Sequence, residues 1–210
     1  MAQKESTFLS MTLTLFVVTL VAATVLGFVH DLTKEDIALA KQKAQEKAIK
    51  SVLPAFDSLG DAYKVLPEDG ADSLEFFPAY DANQQLVGTA VKTYTKNGFS
   101  GFISIMAGLS PEGNITGYEV LEHKETPGLG SKMGAWFKDE AKPKQNILGK
   151  NPSTTKFQVS KDGGDVDAIT ASTITSRAFL DAVVRAYKTY QASAEDQTQA
   201  SNHTSKGGQS

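Results

Sequence analysis

Between Ser6 and His30 the chain carries no formally charged side chain, and the stretch from Phe8 to Val29, FLSMTLTLFVVTLVAATVLGFV, is apolar apart from scattered Ser and Thr. As an α-helix that stretch is roughly 33 Å long, against about 30 Å for the hydrocarbon core of a bilayer. Its length and place in the chain predict a single membrane span. The hydroxyls of Ser10, Thr12, Thr14, Thr19 and Thr24 are tolerable in lipid, because each can bond back to a carbonyl of its own helix. A cleaved signal peptide is the competing reading, and Val21-Ala22-Ala23 offers it small residues. Such peptides have apolar regions of about 7–15 residues behind a basic amino end. Here the apolar stretch is longer and Lys4 is offset by Glu5, which favours an uncleaved anchor. Sidedness stays open. Lys34, Lys41, Lys43 and Lys47 follow the span and only Lys4 precedes it, yet the positive-inside rule weakens for long translocated domains.

The remainder of the 210 residues is enough for one packed domain. With 21 Lys and Arg against 24 Asp and Glu the net charge is −3, so the basic footprint of a nucleic-acid binder is missing. The absence of cysteine excludes disulfides, thiolate metal ligation and a thiol nucleophile. His30, His123 and His203 are the only imidazoles, too few for a multi-histidine metal site. Redox or hydrolytic chemistry here must use oxygen and lysine side chains or an organic cofactor.

Thr33 and Asp36 resemble a capping box, and Ile37, Leu39, Ala40, Ala44, Ala48, Ile49 and Val52 recur at helical spacing. This predicts a separate juxtamembrane helix that ends near Leu53, where Pro54 follows. The acidic segment Asp57 to Asp72 reads as irregular. Apolar runs from Leu74 to Phe77, Gln85 to Thr95, Phe102 to Leu109 and Ile115 to Glu122, separated by turn residues, predict an antiparallel sheet. A loop-rich stretch, Lys124 to Gly164, follows; segments of this kind are often functional. From Ser172 to Tyr190 the residues Ile174, Ala178, Phe179, Ala182, Val183, Ala186 and Tyr187 give a terminal helix an apolar face. Beyond it the chain is Ser/Gln/Gly/Asn-rich, as disordered tails are. The predicted class is α+β: a transmembrane helix (1–30), an antiparallel-sheet domain with packed helices (31–190) and a disordered tail (191–210).

The glycine cluster from Gly128 to Gly134 has the wrong spacing for a dinucleotide loop, and Gly149-Lys150 precedes Asn151 where a phosphate loop needs Ser or Thr. More informative is Asp167-Ala168-Ile169-Thr170-Ala171-Ser172-Thr173-Ile174-Thr175-Ser176-Arg177, rich in hydroxyls at the entry to the last helix. Two readings share that geometry. Thr170 or Ser172 can cap the helix, or the free N–H groups and hydroxyls can receive a phosphate or phosphodiester.

This segment resembles the Asp-x-x-(Ser/Thr)-Gly-Ala-Thr signature of the FMN-binding domain family, found in the G subunit of the Rnf complex and the C subunit of the sodium-pumping NADH:quinone oxidoreductase. Asp167 and Thr170 match its leading positions, Ala171 and Ser172 replace Gly and Ala, and Thr173 ends the motif. His123-Lys124-Glu125-Thr126-Pro127-Gly128-Leu129-Gly130 is similar to the family's His-x-Glu-Thr-Pro-Gly-Leu-Gly loop, and Gly98-Phe99-Ser100-Gly101 to its Gly-x-x-Gly strand entry. The resemblance implies one FMN per chain, esterified through its phosphate to Thr173 by a dedicated flavin transferase. It also implies flavin contacts from Thr170, Ser172, Glu125, Thr126, Gly128, Leu129 and Gly130. On composition alone, Glu125 reads as a solvated loop carboxylate, and Trp136 and Phe137 as core filling or an aromatic wall. No catalytic residue or metal ligand is expected: Thr173 would be an attachment point, and the chain a redox subunit that is not catalytic alone.

By resemblance the chain is closer to the Rnf branch. That branch implies a single-pass protein of the cell inner membrane with its domain outside the cytoplasm. Its partners would be the membrane and iron–sulfur subunits of a ferredoxin:NAD oxidoreductase coupled to sodium or proton translocation. The alternatives are the sodium-pump subunit, and a membrane-anchored binding module without redox chemistry in which the Thr-rich turn is only a cap.

Overall fold

The computed structural model describes residues 8–69 and 72–206. The chain divides into two compact units, Met1–Ala44 and Gln45–Ser210. Helix α1 (Phe8–Val52) begins in the first unit with the apolar stretch, where every large apolar side chain from Phe8 to Val29 is exposed, and its last residues, from Gln45, belong to the second. By length and composition this helix can cross a bilayer. Its hydroxyls bond back one turn as expected: Thr12 to the Phe8 carbonyl (3.0 Å), Thr14 to Ser10 (2.7 Å), Thr19 to Leu15 (2.9 Å) and Thr24 to Leu20 (2.8 Å). Thr33 does the same, donating to the Val29 carbonyl at 2.9 Å. A capping threonine instead lies outside helical geometry and accepts from an N–H. The predicted helix start at Thr33 is therefore corrected. With neither Gly nor Pro between Val29 and Ile37 to interrupt the hydrogen-bond ladder, α1 runs on unbroken to Val52.

The second unit is built on an antiparallel sheet. Its strands are β1 (Ser58–Leu59), β2 (Tyr63–Val65), β3 (Leu74–Tyr80), β4 (Leu86–Gly98), β5 (Gly101–Leu109) and β6 (Ile115–His123), in the order β1-β3-β4-β5-β6, with β2 also paired to β3. The four long strands lie where the apolar runs predict them. The two short ones correct the expectation of an irregular Asp57–Asp72 segment. Tyr63 is in register with Phe76, on which its ring stacks at 5.2 Å, and Val65 with Leu74. Three residues suffice for a strand when two of them face apolar partners across the sheet.

Strand β5 is buried on both sides. Ile103, Ile105, Ala107 and Leu109 join Phe76, Val91 and the α3 residues Phe179, Ala182, Val183 and Ala186 in one core; Met106 joins Ala48, Ile49, Val52 and Leu53 in a second core on the opposite face. Helix α3 (Thr173–Lys206) lies over β4 and β5, tied by Thr93 donating to the Ala182 carbonyl at 3.0 Å. It continues past Tyr190, the predicted end, because small polar residues weaken a helix without breaking it where Gly and Pro are absent; 207–210 lie outside the described residues. Met133, Phe137, Ile147, Phe157, Val159, Val166 and Ile169 pin the loop-rich segment to the first core. Burial of each such large side chain is worth about 2 kcal/mol. Phe137 stacks on Phe179 at 4.6 Å, so it fills the core.

The second core requires close backbone approach. A Cβ at Gly117 would lie 2.7 Å from Val52 Cα, and one at Gly108 would overlap the Val52 carbonyl. That carbonyl, at the open end of α1, accepts from Thr116 Oγ1 at 2.6 Å. Replacing Gly108 by Ala should therefore cost about 3 kcal/mol and lower the thermal midpoint of the detergent-solubilised chain by roughly 10 °C; an unchanged midpoint would show that the contact is not tight.

Candidate functional site

Three chain segments meet at the first turn of α3. The approach to the helix passes through Ala171 in the left-handed region (φ 61°), after which Ser172 N–H closes on the Ile169 carbonyl at 2.9 Å. Ser176 fixes this turn from inside the helix: its hydroxyl accepts from Ile169 N–H and donates to the Ser172 carbonyl, both at 2.9 Å. On the outer side Arg177 makes two hydrogen bonds to Asp162, at 2.7 and 2.8 Å, and these hold the Asp162 carboxyl below its usual range.

The second segment is the loop after β6. Leu129 N–H bonds to the Thr126 carbonyl at 3.2 Å, with Pro127 and Gly128 (φ 77°) between them. This is the residue order of a type II turn, in which Pro pre-sets the second position and Gly supplies the positive φ of the third. The third segment is the two-residue hairpin Phe99-Ser100 between Gly98 and Gly101, which joins β4 to β5.

Glu125 joins all three. It is only 4% exposed; Ser100 N–H donates to its Oε1 at 2.8 Å and Thr175 Oγ1 to its Oε2 at 2.5 Å, while its own N–H donates to His123 Nδ1 at 3.2 Å. Two glycines make room for the carboxylate. A Cβ on Gly98 would lie 2.7 Å from Oε1, and one on Gly130 would overlap Oε2.

Above this carboxylate opens a cleft of about 320 Å³, lined by Phe99, Glu125, Thr126, Leu129, Gly130 and residues 171–175. Phe99, Leu129 and Ile174 remain 68%, 40% and 49% exposed around it. On the other side of Thr173 lies a second depression, bordered by Trp136, Lys161, Asp167 and Thr170. The cleft thus offers uncovered apolar walls with hydroxyls at one end, which fits an elongated ligand with a flat apolar body and a phosphate.

The structure brings together Thr173, Ser172, Glu125, Thr126, Leu129 and Gly130, all on the cleft. Two predicted contacts are not on its wall. Thr170 borders the second depression, since the left-handed turn at Ala171 directs it away, and Gly128 acts as the turn residue that bends the loop. Glu125 is no solvated loop carboxylate, being enclosed by partners. Ile174, assigned by periodicity to the packed face of α3, faces the cleft instead. Trp136 packs partly against the first core and donates from Nε1 to the Asp167 carbonyl at 3.0 Å. Nothing in the sequence singles out Thr175, which is there one more hydroxyl in a cluster. The hydroxyls now separate: Thr175 and Ser176 are committed to Glu125 and to the Ser172 turn, whereas those of Thr170, Ser172 and Thr173 carry no hydrogen bond among the described residues.

An alanine held at positive φ is disfavoured by about 1–2 kcal/mol, partly offset by the greater chain entropy that glycine loses on folding. Ala171→Gly should therefore stabilise the protein by about 0.5–1 kcal/mol, raising the thermal midpoint by a few degrees; a lowered midpoint would show that the turn is unstrained.

Comparison with known proteins bears on this geometry. The family description "FMN-binding domain" matches residues 98–188, a range that contains every residue lining the cleft, and "RnfG N-terminal region" matches residues 1–52, ending where α1 ends. The G subunit of the ion-translocating oxidoreductase complex of Aliivibrio fischeri is 34% identical over 198 residues, covering 87% of this chain and 90% of that one. The G subunit of the Na(+)-translocating ferredoxin:NAD(+) oxidoreductase complex of Acetobacterium woodii is 31% identical, covering 85% and 89%. Among solved structures, Shewanella oneidensis NqrC aligns with a TM-score of 0.40 at 22% identity, over 65% of this chain and 64% of that one. Relatedness that extends through helix, sheet and cleft to nearly the full length of such relatives shows that this chain belongs to the G-subunit family of ion-translocating oxidoreductase complexes.

Proposed function

We propose that the chain is the flavin-carrying electron-transfer subunit of an Rnf-type ferredoxin:NAD oxidoreductase coupled to ion translocation, with one FMN esterified through its phosphate to Thr173. The observation that carries the attachment is the uncommitted Thr173 hydroxyl at the first residue of α3, half-buried at the edge of the cleft. A phosphate on that oxygen meets the free N–H groups and positive dipole end of a long helix, and no acidic residue in the first turn opposes it. Ser172 is a poorer acceptor because it is 8% exposed, and Thr170 lies on the second depression. The bound flavin supplies one- or two-electron chemistry that this cysteine-free chain lacks. Phe99, Leu129 and Ile174 screen the cleft from water, Thr126 and Ser172 offer hydroxyls to polar edges, and Gly130 lets the backbone come close.

In this reading residues 1–30 anchor the subunit in the cytoplasmic membrane. Residues 31–190 form the flavin-carrying domain on the extracytoplasmic side. A flavin transferase loads the chain, and the membrane and iron–sulfur subunits of the complex exchange electrons with it. A tethered cofactor keeps a fixed effective concentration where a free one would be diluted.

Trypsin releases Thr173 within the peptide Asp162–Arg177. In chain purified from a host with an active flavin transferase, that peptide should carry an FMN-sized mass addition. Thr173→Val should abolish it together with the fluorescence of the denatured gel band, while Ser172→Ala retains both. An unmodified wild-type peptide would defeat the attachment, and a colourless preparation would return the chain to a non-redox binding module.

A further inference from the structure

Glu125 is a buried carboxylate without a countercharge: among the described residues no Lys, Arg or His forms an ion pair with it. Buried acidic groups are rarely left so, since a nearby cation recovers much of the desolvation cost. Among the described residues this one is compensated by two neutral donors, Ser100 N–H and the Thr175 hydroxyl, and it forms part of the cleft wall. Gly98 and Gly130 are the positions where a side chain would displace it. The fold thus keeps a carboxylate at the wall of the cleft, tied to the hairpin and to α3.

From this arrangement we infer that Glu125 sets the electron affinity of the group held in the cleft, and that Thr175 is the positioning residue that holds its carboxylate there. The inference rests on the flavin reading of the preceding section. A ring that gains electrons beside a fixed negative charge in a medium of low dielectric is harder to reduce than the same ring in water. The carboxylate therefore lowers the flavin's reduction potential. The Thr175 hydroxyl donates to Oε2, which favours the charged form and fixes the oxygen between loop and helix.

The test is a spectroelectrochemical titration at pH 8 of the full-length, flavin-loaded chain in detergent, with thermal midpoints measured in parallel. Glu125→Gln keeps the shape and an acceptor for Ser100 N–H but removes the charge. It should move the equilibrium toward reduced flavin by roughly tenfold, a positive shift of about 30 mV for a two-electron couple. Thr175→Val releases the carboxylate and takes away a donor that favours its charged form, so its potential should move the same way as Glu125→Gln and no further; Thr175→Ser, which restores the hydroxyl, should match the wild type. Combining Thr175→Val with Glu125→Gln should shift the potential no more than Glu125→Gln alone, which general loosening of the fold would not produce. A flavin-loaded Glu125→Gln whose equilibrium stays within about twofold of wild type, or shifts negatively, overturns the inference even if its thermal midpoint falls. Should Glu125→Gln not fold, an unshifted or negatively shifted Thr175→Val overturns it. A wild type without flavin would instead defeat the function proposed above.

Discussion

Everything in the second unit follows from a strand that has no side left for water. Strand β5 presents Ile103, Ile105, Ala107 and Leu109 to one core and Met106 to the other, so both faces of the sheet need a cover. Helix α3 supplies one cover, and the residues from Ala48 to Leu53 supply the other. The first cover brings the beginning of α3 to the ends of β4, β5 and β6, where the hairpin at Phe99-Ser100 and the loop after His123 emerge. The cleft is the gap left where these ends meet.

Polar bonds and backbone conformations shape the cleft above the packed core. Phe99, Leu129 and Ile174 stand around it uncovered. The turn at Thr126–Leu129 and the left-handed residue at 171 fix the direction of the walls, and the Glu125 carboxylate fixes their separation. A site built in this way is already shaped before a ligand arrives, which reduces the ordering cost of binding.

Much of this was legible in the sequence. The long strands follow from apolar runs bounded by turn residues, and the anchor from an uncharged apolar stretch, because each signal is carried by neighbouring residues. What was not legible depends on distant partners. The burial of Glu125 is created by Ser100 and Thr175, 25 and 50 residues away, and a lone acidic residue in a polar loop gives no hint of either. Strands β1 and β2 exist through β3, and acidic neighbours obscure them. Thr33 looks like a helix start because the same hydroxyl can cap or bond backward, and only the backbone decides. Ala171 carries no mark of its positive φ; the glycine found at that place in the family signature is the clue, since glycine alone adopts it without strain.

The hydroxyls at the start of α3 have one further consequence. Any reagent that reaches this surface meets alcohols that differ little in intrinsic reactivity but greatly in freedom. Thr175 and Ser176 already direct their protons to internal acceptors, and Ser172 is shielded. The fold thus withdraws Ser172, Thr175 and Ser176 and leaves Thr170 on the second depression and Thr173 at the edge of the cleft, so that a reagent is sorted by the surface it approaches more than by sequence.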